Sequence, residues 1–181
     1  NWQPPHYSEG FDEIKYIFSS FDDERADEFT IRNYFKIANE FDQENSHHTL
    51  SLGKHCTRAA VYIQEHCSDN FPLLIAAMLH DNGKLHTKTR INTKGIDDGN
   101  CHYYQHHSHG AYGCLFYLHY SYDGAFTEQE MAYISNLIYY HMHPYCQWKQ
   151  SEKVFNKDKK LLGNEMLGDI MMLHAADLYA H

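Results

Sequence analysis

"LLIAAMLHDNGKLHTK", residues 73 to 88, changes character halfway along. Residues 73–79 form an unbroken apolar run, and Pro72 stands just ahead of them, where the first turn of a helix tolerates proline. The pattern predicts a buried helix over residues 71–81. That helix ends in His80 and Asp81, with Gly83 and Lys84 close behind. An imidazole or a carboxylate enters a core at little cost only when it is paired or bound to a cation. The residue types at the end of this helix therefore raise a question of chemistry as well as of folding.

The flanking sequence predicts more helices. Ile31, Tyr34, Phe35, Ala38 and Phe41 have helical spacing, and so do Leu52, Cys56, Ala59, Ala60 and Ile63 over residues 49–67. A helix resumes near His106, and another opens at Thr127 and Glu130 in capping-box spacing and closes before Pro144. The last is expected over residues 163–181. Residues 85–104 contain two glycines and many polar side chains and read as a long loop; residues 150–165 read as a polar linker. Pro4 and Pro5 make the start irregular, with one short strand expected over residues 14–18. The expected architecture is an all-α helical bundle without a convincing sheet. Residues 1–45 are expected to form an extension or linker plus the first helix, and residues 46–181 the functional domain.

Composition narrows the classes. A chain of 181 residues, 43% hydrophobic and 15% aromatic, suits one packed domain. Its five cysteines form no CxxC pair and are odd in number, which argues for a reducing compartment. The chain has no apolar run of bilayer length and no signal-peptide pattern, so a cytoplasmic protein without membrane attachment is expected. Because the sequence begins at Asn1, a fragment or processed product is also expected. A net charge of −9 disfavours binding to extended duplex nucleic acid. The 16 histidines stand out, since neutral imidazole is the commonest transition-metal ligand.

Most single histidines are structural or exposed, and His66, His86, His102, His119, His174 and His181 are read that way, while His143 is read as a surface residue. Another set recurs at helix ends or on apolar faces: His55, His80 with Asp81, His106, His141 and Asp177. Helical bundles build metal sites by projecting such side chains inward from separate helices. In order they spell H…HD…H…H…D, within the local strings "HDNGK", "YYQHHSHGA", "LIYYHMHP" and "AAD". From about residue 47 to residue 181 the chain resembles the HD superfamily of metal-dependent phosphohydrolases. The resemblance implies an all-α fold in which His55, His80, Asp81 and Asp177 hold one divalent cation. It further implies that His106 and His141 hold a second, with Asp81 bridging; a shift of one residue would substitute His107 for His106. Mixed imidazole and carboxylate ligands suit Mn, Fe, Co, Ni or Zn, and the lack of cysteine in the pattern disfavours a structural thiolate zinc site.

The activity so implied is hydrolysis of a phosphomonoester or phosphodiester, in a nucleotide or at a terminal or cyclic phosphate of nucleic acid. Asp81 would act through the metal, as the ligand placed to touch both ions. Lys84 is either a fixed charge for a phosphate oxygen or an ordinary solvated lysine. His48 is either the group that protonates the leaving oxygen or part of a histidine-rich capping loop, as is its neighbour His47. Lys88, Arg90 and Lys94 form a basic cluster able to clamp phosphate. The tyrosines Tyr103, Tyr104, Tyr139 and Tyr140 read as wall residues, one of which could stack on a nucleobase. The competing functions are a non-catalytic nucleotide- or metal-binding module and a diiron oxygenase on the same fold. Finally, "NWQPPHYSEGFDEIKYIF" is similar to the segment that follows a P-loop kinase module in some two-part proteins. No GxxxxGK[ST] occurs here, so a kinase-like domain is expected only as a partner in a longer protein.

Overall fold

A helix that is apolar on every side has to lie at the centre of a bundle. In the computed structural model, which describes residues 2–18, 23–45, 49–121 and 125–181, that place belongs to the 73–79 run. The elements in order are α1 (Asp23–Glu28), α2 (Ile31–Glu40), α3 (Leu52–His66), α4 (Phe71–Leu79), α5 (Lys84–Thr87), β1 (Lys88–Ile91), β2 (Asp97–Tyr103), α6 (His106–Ser121), α7 (Glu128–Tyr140) and α8 (Glu152–Tyr179). A π-helical turn, Pro144–Trp148, joins α7 to α8. The fold is mostly α-helical. Helix α4 packs on α3, α7 and α8, while α6 lies along α7 and α2 along α3.

Local chemistry sets the helix boundaries. Asn70 Oδ1 accepts the Leu73 amide at 3.1 Å and starts α4. The Thr127–Glu130 capping box is present at α7, with Glu130 N donating to Thr127 Oγ1 at 3.2 Å and Thr127 N donating to Glu130 Oε2 at 2.8 Å. Helix α2 shares the central core through Ile31, Tyr34 and Ala38. The N-terminal segment is fastened to the bundle by Asn136 Nδ2 donating to Pro5 O at 3.0 Å and Ser8 Oγ donating to Leu161 O at 2.6 Å.

Three expectations are corrected. Residues 85–104 are not a loop but the end of α5 followed by a hairpin: β1 and β2 pair antiparallel with Lys88 opposite Tyr103 and Thr89 opposite His102. Cys101 N donates to Glu44 O at 2.9 Å, tying β2 to the chain ahead of α3. Residues 14–18 are irregular, without the expected strand. The supposed linker is the first part of α8: Ser151 caps it, Asp158 and Leu162 are buried, and a break follows at Gly163, whose φ of 76° suits glycine. Among the described residues no helix is long and apolar enough to cross a membrane.

Candidate metal centre

The last turn of a helix leaves carbonyl groups without partners inside the helix. Histidines exploit this at two helix ends. His80, just past α4, has Nδ1 2.9 Å from Ala77 O, and His141, just past α7, has Nδ1 2.6 Å from Ile138 O. His106, which opens α6, repeats the contact with Tyr103 O at 2.8 Å. A carbonyl oxygen only accepts, so in each ring Nδ1 carries the proton. In the neutral form each Nε2 is then a bare lone pair, held in a fixed direction by its own backbone.

Those lone pairs converge on Asp81. Its Oδ2 lies 3.4 Å from His55 Nε2 and 3.5 Å from His80 Nε2, and its Oδ1 lies 3.4 Å from His106 Nε2 and 3.8 Å from His141 Nε2. Asp177, from α8, adds Oδ1 at 3.0 Å from His55 Nε2 and 3.5 Å from His80 Nε2. The result is two adjoining groups with one common member. His55, His80, Asp81 and Asp177 form the first and Asp81, His106 and His141 the second, the donor atoms of each lying within 4.8 Å of one another. The six candidate ligands are thus brought together, and either group could hold a metal ion. His107 belongs to neither group; its ring lies against Tyr139, with centroids 5.6 Å apart. His47 and His48 lie outside the described residues.

Two glycines set the spacing of the groups. A Cβ on Gly83 would overlap the carbonyl oxygen of His106 and stand 2.6 Å from the amide nitrogen of Gly110. Only glycine lets the HDNG turn lie directly on the first turn of α6. Asn82 locks the contact, its Nδ2 donating to Leu79 O at 2.7 Å and to Gly110 O at 2.9 Å.

The charge balance favours a cation. Burial pushes the Asp81 carboxyl up, but Lys84 and His80 outweigh it and hold the group well below the usual carboxylate range. Asp177 is likewise held low, its burial overcome by hydrogen bonds from His55 and His80. Burial lowers His106, and burial together with His80 and His106 lowers His141 far more, which keeps both neutral. Their Nε2 atoms sit 3.4 Å apart, yet with both protons on Nδ1 neither can donate to the other or to Asp81. Lone pairs facing a carboxylate repel unless a cation lies among them, so this donor set fits a metal ion. On the other side, burial lowers His80 but the Asp81 carboxylate leads the influences that raise it well above the ordinary imidazole value. A protonated His80 and Lys84 therefore supply balancing charge, and a metal ion competes with that proton.

A pocket of about 480 Å³ opens beside the cluster, with Asp81, Lys84, His106 and Asp177 among its lining residues and Tyr103, Tyr104 and Tyr145 among its walls. Lys84 is 4% exposed, its Nζ 2.7 Å from Asp81 Oδ2 and 2.8 Å from Gln43 Oε1. It does turn back toward Asp81, and it is no solvated lysine. Of the basic cluster, Lys88 and Arg90 both pair with Glu44. Sequence reasoning overlooked Gln43, which is buried behind Lys84, placed His143 on the surface, and left His174 and the exposed His181 without a part in the site. His174 and His181 line the pocket, while His143 is buried with Nδ1 3.0 Å from Asp158 Oδ2. His174 lies one helical turn before Asp177, so the spacing alone could have placed it on the same face. No family model matches this chain, and no curated protein or solved structure matches it either.

Proposed function

We propose that this protein is a metal-dependent phosphohydrolase of the HD type, cleaving a phosphomonoester or phosphodiester in a nucleotide or at the end of a nucleic acid. The observation that carries the reading is the sharing of Asp81. One carboxylate turns Oδ2 to His55 and His80 and Oδ1 to His106 and His141. Shared carboxylates of this kind suit a pair of ions, and the nitrogen and oxygen donors suit Mn, Fe, Co, Ni or Zn over Mg or Ca. His55, His80, Asp81 and Asp177 would hold one ion and His106, His141 and Asp81 the other. When bound, such ions polarise phosphoryl oxygen and bring the pKa of water near neutrality.

The chain's own residues do the rest. Backbone carbonyls fix the His80, His106 and His141 rings, so the donor atoms need no reorganisation on loading. Lys84 keeps Asp81 ionised and oriented, and Gln43 holds Lys84 in place. Tyr103 donates its hydroxyl to Gln43 O, and burial pushes its pKa far above the ordinary phenol value. It serves as a wall, not as an acid or base. We extend the proposal to the earlier expectations of a cytoplasmic location and a kinase-like partner domain in a longer protein.

The test is elemental analysis of anaerobically purified protein, followed by a phosphate-release screen over mononucleotides, cyclic nucleotides and oligonucleotide ends. The expected result is bound transition metal and metal-dependent turnover. Tightly held metal with no turnover of any phosphate would move the protein to the binding-module class. Oxygen-dependent substrate oxidation would make it an oxygenase.

A further inference from the structure

The pocket beside the cluster is poor in fixed positive charge. Among the described residues none that lines it is an arginine, and the single lysine there, Lys84, is engaged with Asp81 and Gln43. The nearby Lys88 and Arg90 are matched by Glu44, and His102 on the lining has Nε2 3.0 Å from Asp98 Oδ1. Exposed Lys149 stands over the ring of Tyr145, 5.3 Å from its centroid, as a cation at the rim. A first phosphate can be neutralised at the metal groups. A second or third would extend away from them into a pocket walled by Tyr103, Tyr104, Met142 and Leu178. Proteins that grip polyphosphates do so with lysine, arginine or clustered backbone amides.

His174 is suited to the smaller ligand. It is 9% exposed and lines the pocket, and its Nδ1 is buried without a hydrogen-bond partner. A proton on Nδ1 would be an unpaired buried N–H, so the neutral ring carries its proton on Nε2, the nitrogen not shut away. The ring thus offers one uncharged donor.

We propose that this pocket selects phosphate esters carrying a single phosphorus over di- and triphosphates, with His174 as a neutral hydrogen-bond donor to the substrate. The inference rests on the phosphohydrolase reading and deepens it by naming the substrate class.

The experiment compares adenosine monophosphate, diphosphate and triphosphate, together with p-nitrophenyl phosphate and bis(p-nitrophenyl) phosphate, on the Mn-loaded full chain at fixed free Mn. Phosphate or nitrophenol release gives kcat/KM, and calorimetry gives Kd for the three nucleotides. The best single-phosphorus substrate is expected to exceed both polyphosphates at least tenfold in kcat/KM, and the monophosphate to bind at least as tightly as the triphosphate. Leu178→Lys, which adds a cation at an exposed lining position, should narrow the kcat/KM gap severalfold. His174→Ala should lower kcat/KM for the single-phosphorus substrate at least tenfold at unchanged metal content, with partial recovery in His174→Gln. Equal or better use of the triphosphate overturns the selectivity while the phosphohydrolase reading stands. Unchanged kinetics in His174→Ala overturn the role of that residue. Absence of release from all five compounds, and from the cyclic nucleotides and oligonucleotide ends of the wider screen, overturns the phosphohydrolase reading, and the inference with it.

Discussion

Among the described residues, two groupings of buried histidine and carboxylate lie on this bundle, and they differ in which acceptor takes the imidazole proton. In the central cluster the Nδ1 protons of His80, His106 and His141 go to backbone carbonyls, so Asp81 Oδ1 faces the bare Nε2 atoms of neutral His106 and His141. Near the start of α8, His143 gives its Nδ1 proton to Asp158 directly, and Trp148 Nε1 donates to the same carboxylate oxygen at 2.9 Å. Asp158 is satisfied by neighbouring N–H groups, whereas Asp81, paired with Lys84 through Oδ2, turns Oδ1 to two imidazoles whose lone pairs are aimed at it. The same residue types therefore make a self-contained structural contact in one place and a candidate ligand set in another. Composition does not separate the two; the direction of one proton does.

The contrast can be broken most severely at its centre. Asp81→Ala should lose metal from both groups and reduce phosphate release on the order of a thousandfold or more, as checked by elemental analysis and by circular dichroism for the fold. Asp158→Ala should behave oppositely. By leaving the N–H groups of His143 and Trp148 unpaired it should cost about 3 kcal/mol of stability in a denaturant titration, with metal content unchanged. Saturating Mn at a hundredfold excess over Kd should add about 2.7 kcal/mol for each bound ion, or roughly 5–10 °C in Tm per ion. Wild type and Asp158→Ala should share that gain, Asp81→Ala should lack it, and EDTA should reverse it. The smallest effect sharpens the role of Lys84. Lys84→Met should destabilise the metal-free protein more than the loaded one, by about 1 kcal/mol, because bound cations replace the lost charge on Asp81.

Much of this was legible in the sequence because the central elements are simple. The unbroken apolar run at 73–79 could fit only a buried helix, and the polar pair closing it marked a site. Thr127 and Glu130 announced α7 through a local motif that needs no tertiary context. The hairpin was not legible, because β1 and β2 are largely solvent-facing and lack the alternation that exposes a half-buried strand. Residues 152–162 read as linker because Lys153, Lys157, Lys159 and Lys160 make the stretch polar, and only Asp158 and Leu162 are fully buried. His143 was misplaced by assuming that α7 continues past Tyr140. The chain instead turns there and enters a π-helical turn, which carries His143 inside. Gln43 sits in a polar string with no periodicity, and its burial depends on Lys84, 41 residues away.

The glycine contact between the HDNG turn and α6 has a consequence for how this chain can vary. In a saturation library, position 83 should accept no other residue, because the obstruction is main chain on the opposing segment and no rotamer can relieve it. Position 110 faces looser limits, its nearest neighbour being 3.2 Å from an added Cβ. Drift in this region is therefore asymmetric: α6 can adjust its side of the seam by small steps, while the turn behind Asp81 cannot move without separating the two halves of the centre.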